Sequence, residues 1–142
     1  MKFIIATNNA KKLKELERIL KPLGIDAVIS SVETVDYYND KVLRATQGAI
    51  FKIPLFKMNL KEVLPLLKDN NITVYGSHLE SSISVKEVDK KDKLAVVVGN
   101  EAQGVSKEVL DLCDKNIILP MNNDVESLNV SIAAALLMWE LK

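Results

Sequence analysis

Continuous apolar runs rich in β-branched residues alternate along the chain with stretches whose apolar positions fall at helical spacing. Leu94–Val98 (LAVVV) is such a run, and it predicts a strand buried on both faces of a parallel sheet. It ends in Gly99-Asn100-Glu101-Ala102-Gln103-Gly104, a polar loop bracketed by glycines, where the backbone can turn sharply and a ligand can approach it closely. Ile117–Leu119 reads as a second short strand closed by Pro120. Ser127 is the expected cap of a helix in which Val130 and Ile132 to Met138 leave almost no polar face. A helix apolar all round is buried all round, and in a chain of 142 residues that predicts a partner subunit.

The earlier part of the chain has the same alternation. Met1–Ala6 predicts a buried strand, and Asn8 or Asn9 caps a helix with its apolar stripe at Leu13, Leu16, Ile19 and Leu20. Pro22 and Gly24 end that helix, and Ile25–Ile29 returns as a strand. Asn39 is placed to cap a short helix, followed by an edge strand at Ile53–Phe56. Leu60–Leu67 is expected to be helical, shortened or kinked by Pro65. Ile72–Tyr75 follows as a strand, with Gly76-Ser77-His78 opening a loop. Ser81–Val88 carries the faintest pattern, and Asp89–Lys93 is a charged turn. No internal repeat, low-complexity tract or linker divides the sequence, so one α/β domain over 1–142 is expected.

Composition narrows the chemistry. Hydrophobic residues make up 48%, and no apolar run is long enough to span a bilayer. No signal peptide precedes the first strand, so a cytoplasmic location is expected. The single Cys113 has no internal disulfide partner and reads as a small packing residue. His78 is the only histidine, which leaves histidine zinc sites and Ser-His triads almost without material, and no metal is expected. Nineteen basic and nineteen acidic residues cancel, yet Lys11, Lys12, Lys14, Arg18 and Lys21 cluster early and Lys41, Arg44, Lys52 and Lys57 follow. A local basic face and an ordinary solvated helix face both fit that distribution.

The two polar loops are expected at the carboxyl ends of adjacent strands, where open α/β sheets bind ligands, without the spacing of a dinucleotide or Walker loop. The pair GNEAQGVS and ILPMNNDVESLNVSIAAA resembles the second and third motifs of the SpoU/TrmH family of RNA ribose 2′-O-methyltransferases. That resemblance covers about residues 29–142. It implies a three-layer parallel-sheet domain with a C-terminal trefoil knot over 94–142, S-adenosylmethionine as cofactor, and a homodimer. The implied substrate is transfer or ribosomal RNA, and neither DNA nor membrane is an implied partner.

By the same resemblance, Gly99, Leu119 and Leu128 offer backbone contacts to the cofactor. Asn100, Glu101, Gly104, Ile118, Met121, Ser127 and Asn129 shape the pocket around it. Ser127, Asn129 and Glu101 are also the candidates nearest the chemistry, and Arg44, with Lys41 beside it, matches an arginine used near RNA phosphates. An exposed Arg44 paired with Asp40 is the alternative.

The opening 1–28 departs from that family. The family's first motif is N-x-G-x-x-x-R, whose arginine is assigned to activating the ribose hydroxyl. Asn8 is followed at those offsets by Ala10 and Lys14, and Asn9 by Lys11 and Glu15. Arg18, about one helical turn further on, is the substitute candidate. ATNNAKKLKE resembles instead the opening motif of inosine/xanthosine triphosphate pyrophosphatases, matched by Thr7, Asn9, Lys12 and Glu15, while that family's later acidic motifs are missing. The chain therefore reads as a chimera with a seam near Ala27–Ser30. Three functions follow: an RNA ribose methyltransferase, a dimeric cofactor-binding scaffold without turnover, and, remotely, a nucleotide pyrophosphatase.

Overall fold

The computed structural model describes residues 27–34, 36–46, 51–99, 103–121 and 128–141. The expected strand Met1–Ala6, the helix after it and the candidate Arg18 lie outside those residues. Among the described residues, β1 (Val28–Ser30) pairs in parallel with β2 (Leu55–Lys57), and α1 (Asp40–Thr46) lies between them in sequence. Helix α2 (Leu60–Asp69) leads to β3 (Thr73–Ser77), then to the two-residue β4 (Ile83–Ser84) and a 3₁₀ turn at Val85–Glu87. Next come β5 (Leu94–Val97), α3 (Lys107–Leu110), β6 (Lys115–Ile118) and α4 (Val130–Glu140). The four later strands form one all-parallel sheet in the order β4-β6-β3-β5.

This sheet is the middle of three layers. Successive strand residues point to opposite faces, so Val74 and Ala95 enter one core while their neighbours Tyr75 and Leu94 enter the other. On the first face Val63, Leu64 and Leu67 of α2 and Val109 and Leu110 of α3 cover the sheet. On the second, Val85, Val88, Leu137 and Leu141 pack around Tyr75 and Ile117. Burial on both faces is why these strands are apolar without alternation. The buried Tyr75 hydroxyl donates to the Asp89 carbonyl at 3.1 Å, so its polar tip is satisfied.

Helix α2 runs two residues past the expected end despite Pro65. The carbonyl that a proline leaves without its partner belongs to exposed Lys61, where water can donate, while Val63, Leu64 and Leu67 hold the buried side. Asn59 caps its start, accepting from the Lys61 amide at 3.1 Å. The end is a Schellman turn: Asn71, at φ 59°, donates to the Lys68 carbonyl and Ile72 to that of Leu67. Asn39 caps α1 as expected, its side chain accepting from the Val42 amide at 2.9 Å.

Three expectations shift. Gly76 and Ser77 belong to β3 rather than to a loop, because α3 packs directly on the strand there. A Cβ on Gly76 would lie 2.9 Å from both Asn116 Oδ1 and Leu110 Cδ2. Helix α4 begins at Val130 and the Asn129 carbonyl accepts from the Ala133 amide at 2.9 Å, so the cap position is Asn129, two residues after the expected Ser127. Its apolar side chains are also not all buried in one chain: Leu137 is fully covered, whereas Ile132, Leu136 and Trp139 are 53%, 43% and 73% exposed.

Candidate functional site

Parallel strands end together, so the loops after β3, β5 and β6 leave one edge of the sheet. The sequence reading put its two ligand loops on adjacent strands; β5 and β6 instead flank β3, one on each side. At the usual strand spacing their ends stand ~10 Å apart, with the end of β3 between them. The chain crosses over β3 between β5 and β6, and open α/β sheets bind ligands outside the carboxyl ends of strands where the strand order reverses.

Gly99 and Gly104 are brought together. A Cβ on Gly99 would overlap the carbonyl group of Gly104 and the amide of Val105, so the loop closes on its own backbone at this point. Gly104 sits at φ 65°, in the left-handed region, and nothing lies within 4 Å of where its Cβ would be. One glycine is therefore required by contact and the other by backbone angle, with no described residue close beside the second. Val105 behind them is buried in the core with Val109 and Leu110, which anchors the far side of the loop.

On the other side of β3, Ile118 is the last residue of β6 and pairs with Ser84. Leu119 follows, half-buried against the cluster of Tyr75, Ile117 and Leu137. Met121 and Leu128 are half-buried and Asn129 is exposed at the start of α4. Asn100, Glu101 and Ser127 lie outside the described residues, as do 122–127 between the β6 loop and the helix.

The sequence reading passed over the residue that stands between the two loops. His78 directly follows β3, is half-buried, and its amide donates to the Ile117 carbonyl at 3.1 Å. The signal available was a solitary histidine two residues after a glycine in an apolar strand, which reads equally as a loop start.

Cys113 is a packing residue, as expected. Burial and the nearby Asp114 push its thiol up to about 11, and its Sγ donates to the Val109 carbonyl at 3.3 Å. Among the described residues no group of three or more histidine, cysteine, aspartate or glutamate side chains is arranged to hold a metal, and no helix is long and apolar enough to cross a membrane. Lys41 and Arg44 are exposed on α1, and Arg44 Nε donates to the Asp40 carbonyl at 3.3 Å rather than pairing with its carboxylate.

Comparison with known proteins gives consistent matches. The sequence model of the SpoU rRNA Methylase family matches residues 13–139. The chain is 35% identical over 139 residues to the 23S rRNA (guanosine(2553)-2′-O)-methyltransferase RlmP of Bacillus subtilis, covering 98% of this chain and 56% of that protein. Among solved structures it is similar to an AdoMet-bound rRNA methyltransferase from Sinorhizobium meliloti, at 26% identity and TM-score 0.76 over 89% of this chain and 49% of that one. It is similar also to the A. aeolicus TrmH/SpoU tRNA modifying enzyme, at 25% identity and TM-score 0.70 over 99% of this chain and 72% of that one. The chain spans about half the length of the curated relatives it matches. Both the family match and the Bacillus alignment run across residues 27–30, where the sequence suggests a seam.

Proposed function

The chain belongs to the SpoU rRNA Methylase family, and from that premise we propose that it is an S-adenosylmethionine-dependent RNA ribose 2′-O-methyltransferase module. The observation that carries the reading is the Gly99–Gly104 closure beside the end of β3, with Leu119 on the opposite flank. Gly99 and Leu119 follow the last paired residues of β5 and β6 by two residues and one, so they lie outside the strand ladders. Backbone donors and acceptors at Gly99, Leu119 and Leu128 suit an adenosine, and the half-buried Ile118, Leu119 and Met121 suit its apolar faces. The open side of Gly104 is compatible with a ligand passing close to the backbone. When bound, the cofactor supplies an activated methyl group on sulfur.

The chain's own task is then to hold the ribose hydroxyl in line and assist loss of its proton. Ser127, Asn129, Glu101 and Arg18 are the groups proposed for that end of the site, and Lys41 and Arg44 are proposed to meet RNA phosphate. The trefoil knot of the family is proposed for residues 94–142. A homodimer is proposed through the uncovered face of α4, where Ile132, Leu136 and Trp139 recur at helical spacing.

A second reading is favoured by one observation. Lys14 or Glu15, depending on whether Asn8 or Asn9 opens the motif, stands where the family's first motif carries arginine, which supports a cofactor-binding dimer with slow or absent turnover. Pyrophosphatase activity loses its footing, because the Bacillus alignment, over 98% of this chain, takes in the segment that suggested it. The test is transfer of labelled methyl groups from S-adenosylmethionine to bulk RNA, read as alkali-resistant dinucleotides, beside calorimetric binding of the cofactor. Binding with transfer supports the enzyme and binding alone supports the scaffold. Absence of both overturns the proposal.

A further inference from the structure

We propose that Tyr38 is a stacking platform for one unpaired base of the RNA, held beside the cations of α1. The proposal rests on the reading of the chain as an RNA-modifying protein, and it adds that the RNA is single-stranded where it crosses this loop.

Tyr37 and Tyr38 are adjacent and have opposite fates. Tyr37 is half-buried; its hydroxyl donates to the Phe56 carbonyl at 3.2 Å and shares a short hydrogen bond with Ser30 Oγ. That pins the loop to the ends of β1 and β2. Tyr38 faces water, 64% exposed. A single exposed aromatic is ordinary on a protein surface, so exposure alone decides nothing. What distinguishes Tyr38 is that its backbone is fixed from both sides. Asp36 Oδ1 accepts from the Tyr38 amide at 3.0 Å, and Asn39 Nδ2 donates to the Asp36 carbonyl at 2.9 Å. Asn39 then caps α1. The ring keeps only its own two torsions, so little entropy is lost when something stacks on it.

Its surroundings select the occupant. Lys41 and Arg44 lie three residues apart on α1, hence on one face, and both are exposed. Asp36 and Asp40 share the segment, but the Asp36 carboxylate is engaged by the Tyr38 amide. Asp40 starts the helix, one turn from Arg44, whose Nε donates to the Asp40 carbonyl at 3.3 Å rather than to its carboxylate. A protein partner would use an aromatic anchor set in a desolvated apolar pocket; here the exposed neighbours Asp36, Asn39 and Asp40 are polar. A rigid aromatic with cations alongside is the combination that binds single-stranded nucleic acid, the ring taking a base and the cations its phosphates.

The experiment measures binding of a short single-stranded RNA of mixed sequence, and of the same RNA annealed to its complement, to the chain and its Tyr38→Ala, Tyr38→Phe and Lys41→Ala/Arg44→Ala variants. Tyr38→Ala is expected to weaken single-strand binding about tenfold while leaving its salt dependence and the duplex affinity alone. Tyr38→Phe should bind as the parent does. The double variant should lower the salt slope by about one for each cation in contact. Unchanged affinity in Tyr38→Ala, with the double variant weakened, overturns the stacking role and leaves the RNA reading standing. Equal losses in Tyr38→Phe and Tyr38→Ala overturn it as well, since the hydroxyl would then be the contact. Absence of RNA binding by the parent chain removes the RNA reading itself. Melting curves of each variant separate these outcomes from unfolding.

Discussion

Gly99 has no room for a side chain because the carbonyl group of Gly104 occupies the position its Cβ would take. The sequence reading held that space open for a ligand; the chain's own backbone fills it. The two glycines should therefore respond differently to substitution. Gly99→Ala forces the loop apart and should cost about 1–3 kcal/mol, as overpacking does, together with most of the cofactor affinity. Gly104→Ala meets no clash and should cost about 1–2 kcal/mol, from its left-handed backbone alone. Denaturant titration and calorimetry on both variants check the order. Equal effects would mean that the loop does not close as described.

Asp114 ties three elements together. Its Oδ2 accepts from the buried Val74 amide at 2.8 Å, its Oδ1 lies 3.2 Å from Lys68 Nζ, and its own amide donates to the Val74 carbonyl at 2.8 Å. Asp114→Ala strands the Val74 amide in the core and should destabilise the fold by about 1.5–3 kcal/mol. Lys68→Ala removes a half-exposed ion pair and an exposed hydrogen bond to the Leu112 carbonyl at 3.2 Å, and should cost about 1 kcal/mol. Equilibrium unfolding that shows the two variants equal would place the stabilisation in the ion pair.

The strands were legible because burial on both faces leaves a simple mark, an unbroken apolar run such as Leu94 to Val98. Caps such as Asn39 were legible because they are local chemistry. Strand order was not: nothing in Leu94–Leu119 says that Thr73–Ser77 inserts between β5 and β6, since that pairing is decided by contacts distant in sequence. The place of His78 between the two loops was lost with it. Pro65 misled in the opposite way, because the penalty it carries depends on whether the orphaned carbonyl faces water, which α2 arranges.

Cys113 gives a pH-dependent signature. Its thiol is raised from the ordinary 9.0 to about 11 by burial, with Asp114 acting in the same direction. The folded state therefore holds a proton that the unfolded chain releases first. The associated stability is complete below about pH 9 and is lost as pH rises towards 11. Tyr75, raised mainly by burial, pushes the same way, so the difference between the parent and Cys113→Ala isolates the thiol. That difference should narrow the alkaline loss of stability, and alkylation of the folded chain at neutral pH should be slow. Rapid modification at pH 7 would contradict the burial of the sulfur.

Trp139 is the chain's one tryptophan and is 73% exposed on a helix face shared with Ile132 and Leu136. Self-association through that face should shift its emission to shorter wavelength as concentration rises. It should also give a scattering mass near twice 15.8 kDa. Ile132→Asp should return the chain to a monomer with red-shifted emission, since a carboxylate in an apolar contact is strongly penalised. A parent chain that stays at the single-chain mass at micromolar concentration would leave α4 covered by something else.

Cofactor binding and methyl transfer should come apart. The groups proposed to hold the cofactor all fall within residues 99–129, outside the opening segment. Activation of the hydroxyl is a separate requirement, and Lys14 or Glu15, depending on whether Asn8 or Asn9 opens the motif, stands where the family's first motif has arginine. Lysine brings the charge without the planar fork that orients an oxygen. A missing activating group typically costs ~10²–10⁴-fold in rate, so calorimetry should find the cofactor bound while methyl incorporation is slow. Lys14→Arg should recover part of the rate without changing the cofactor affinity. Arg18→Ala should abolish what remains if Arg18 substitutes from one turn further along. A parent chain with an ordinary enzymatic rate, untouched by Arg18→Ala, would show that neither position matters and that the proton leaves by way of Glu101, Ser127 or Asn129.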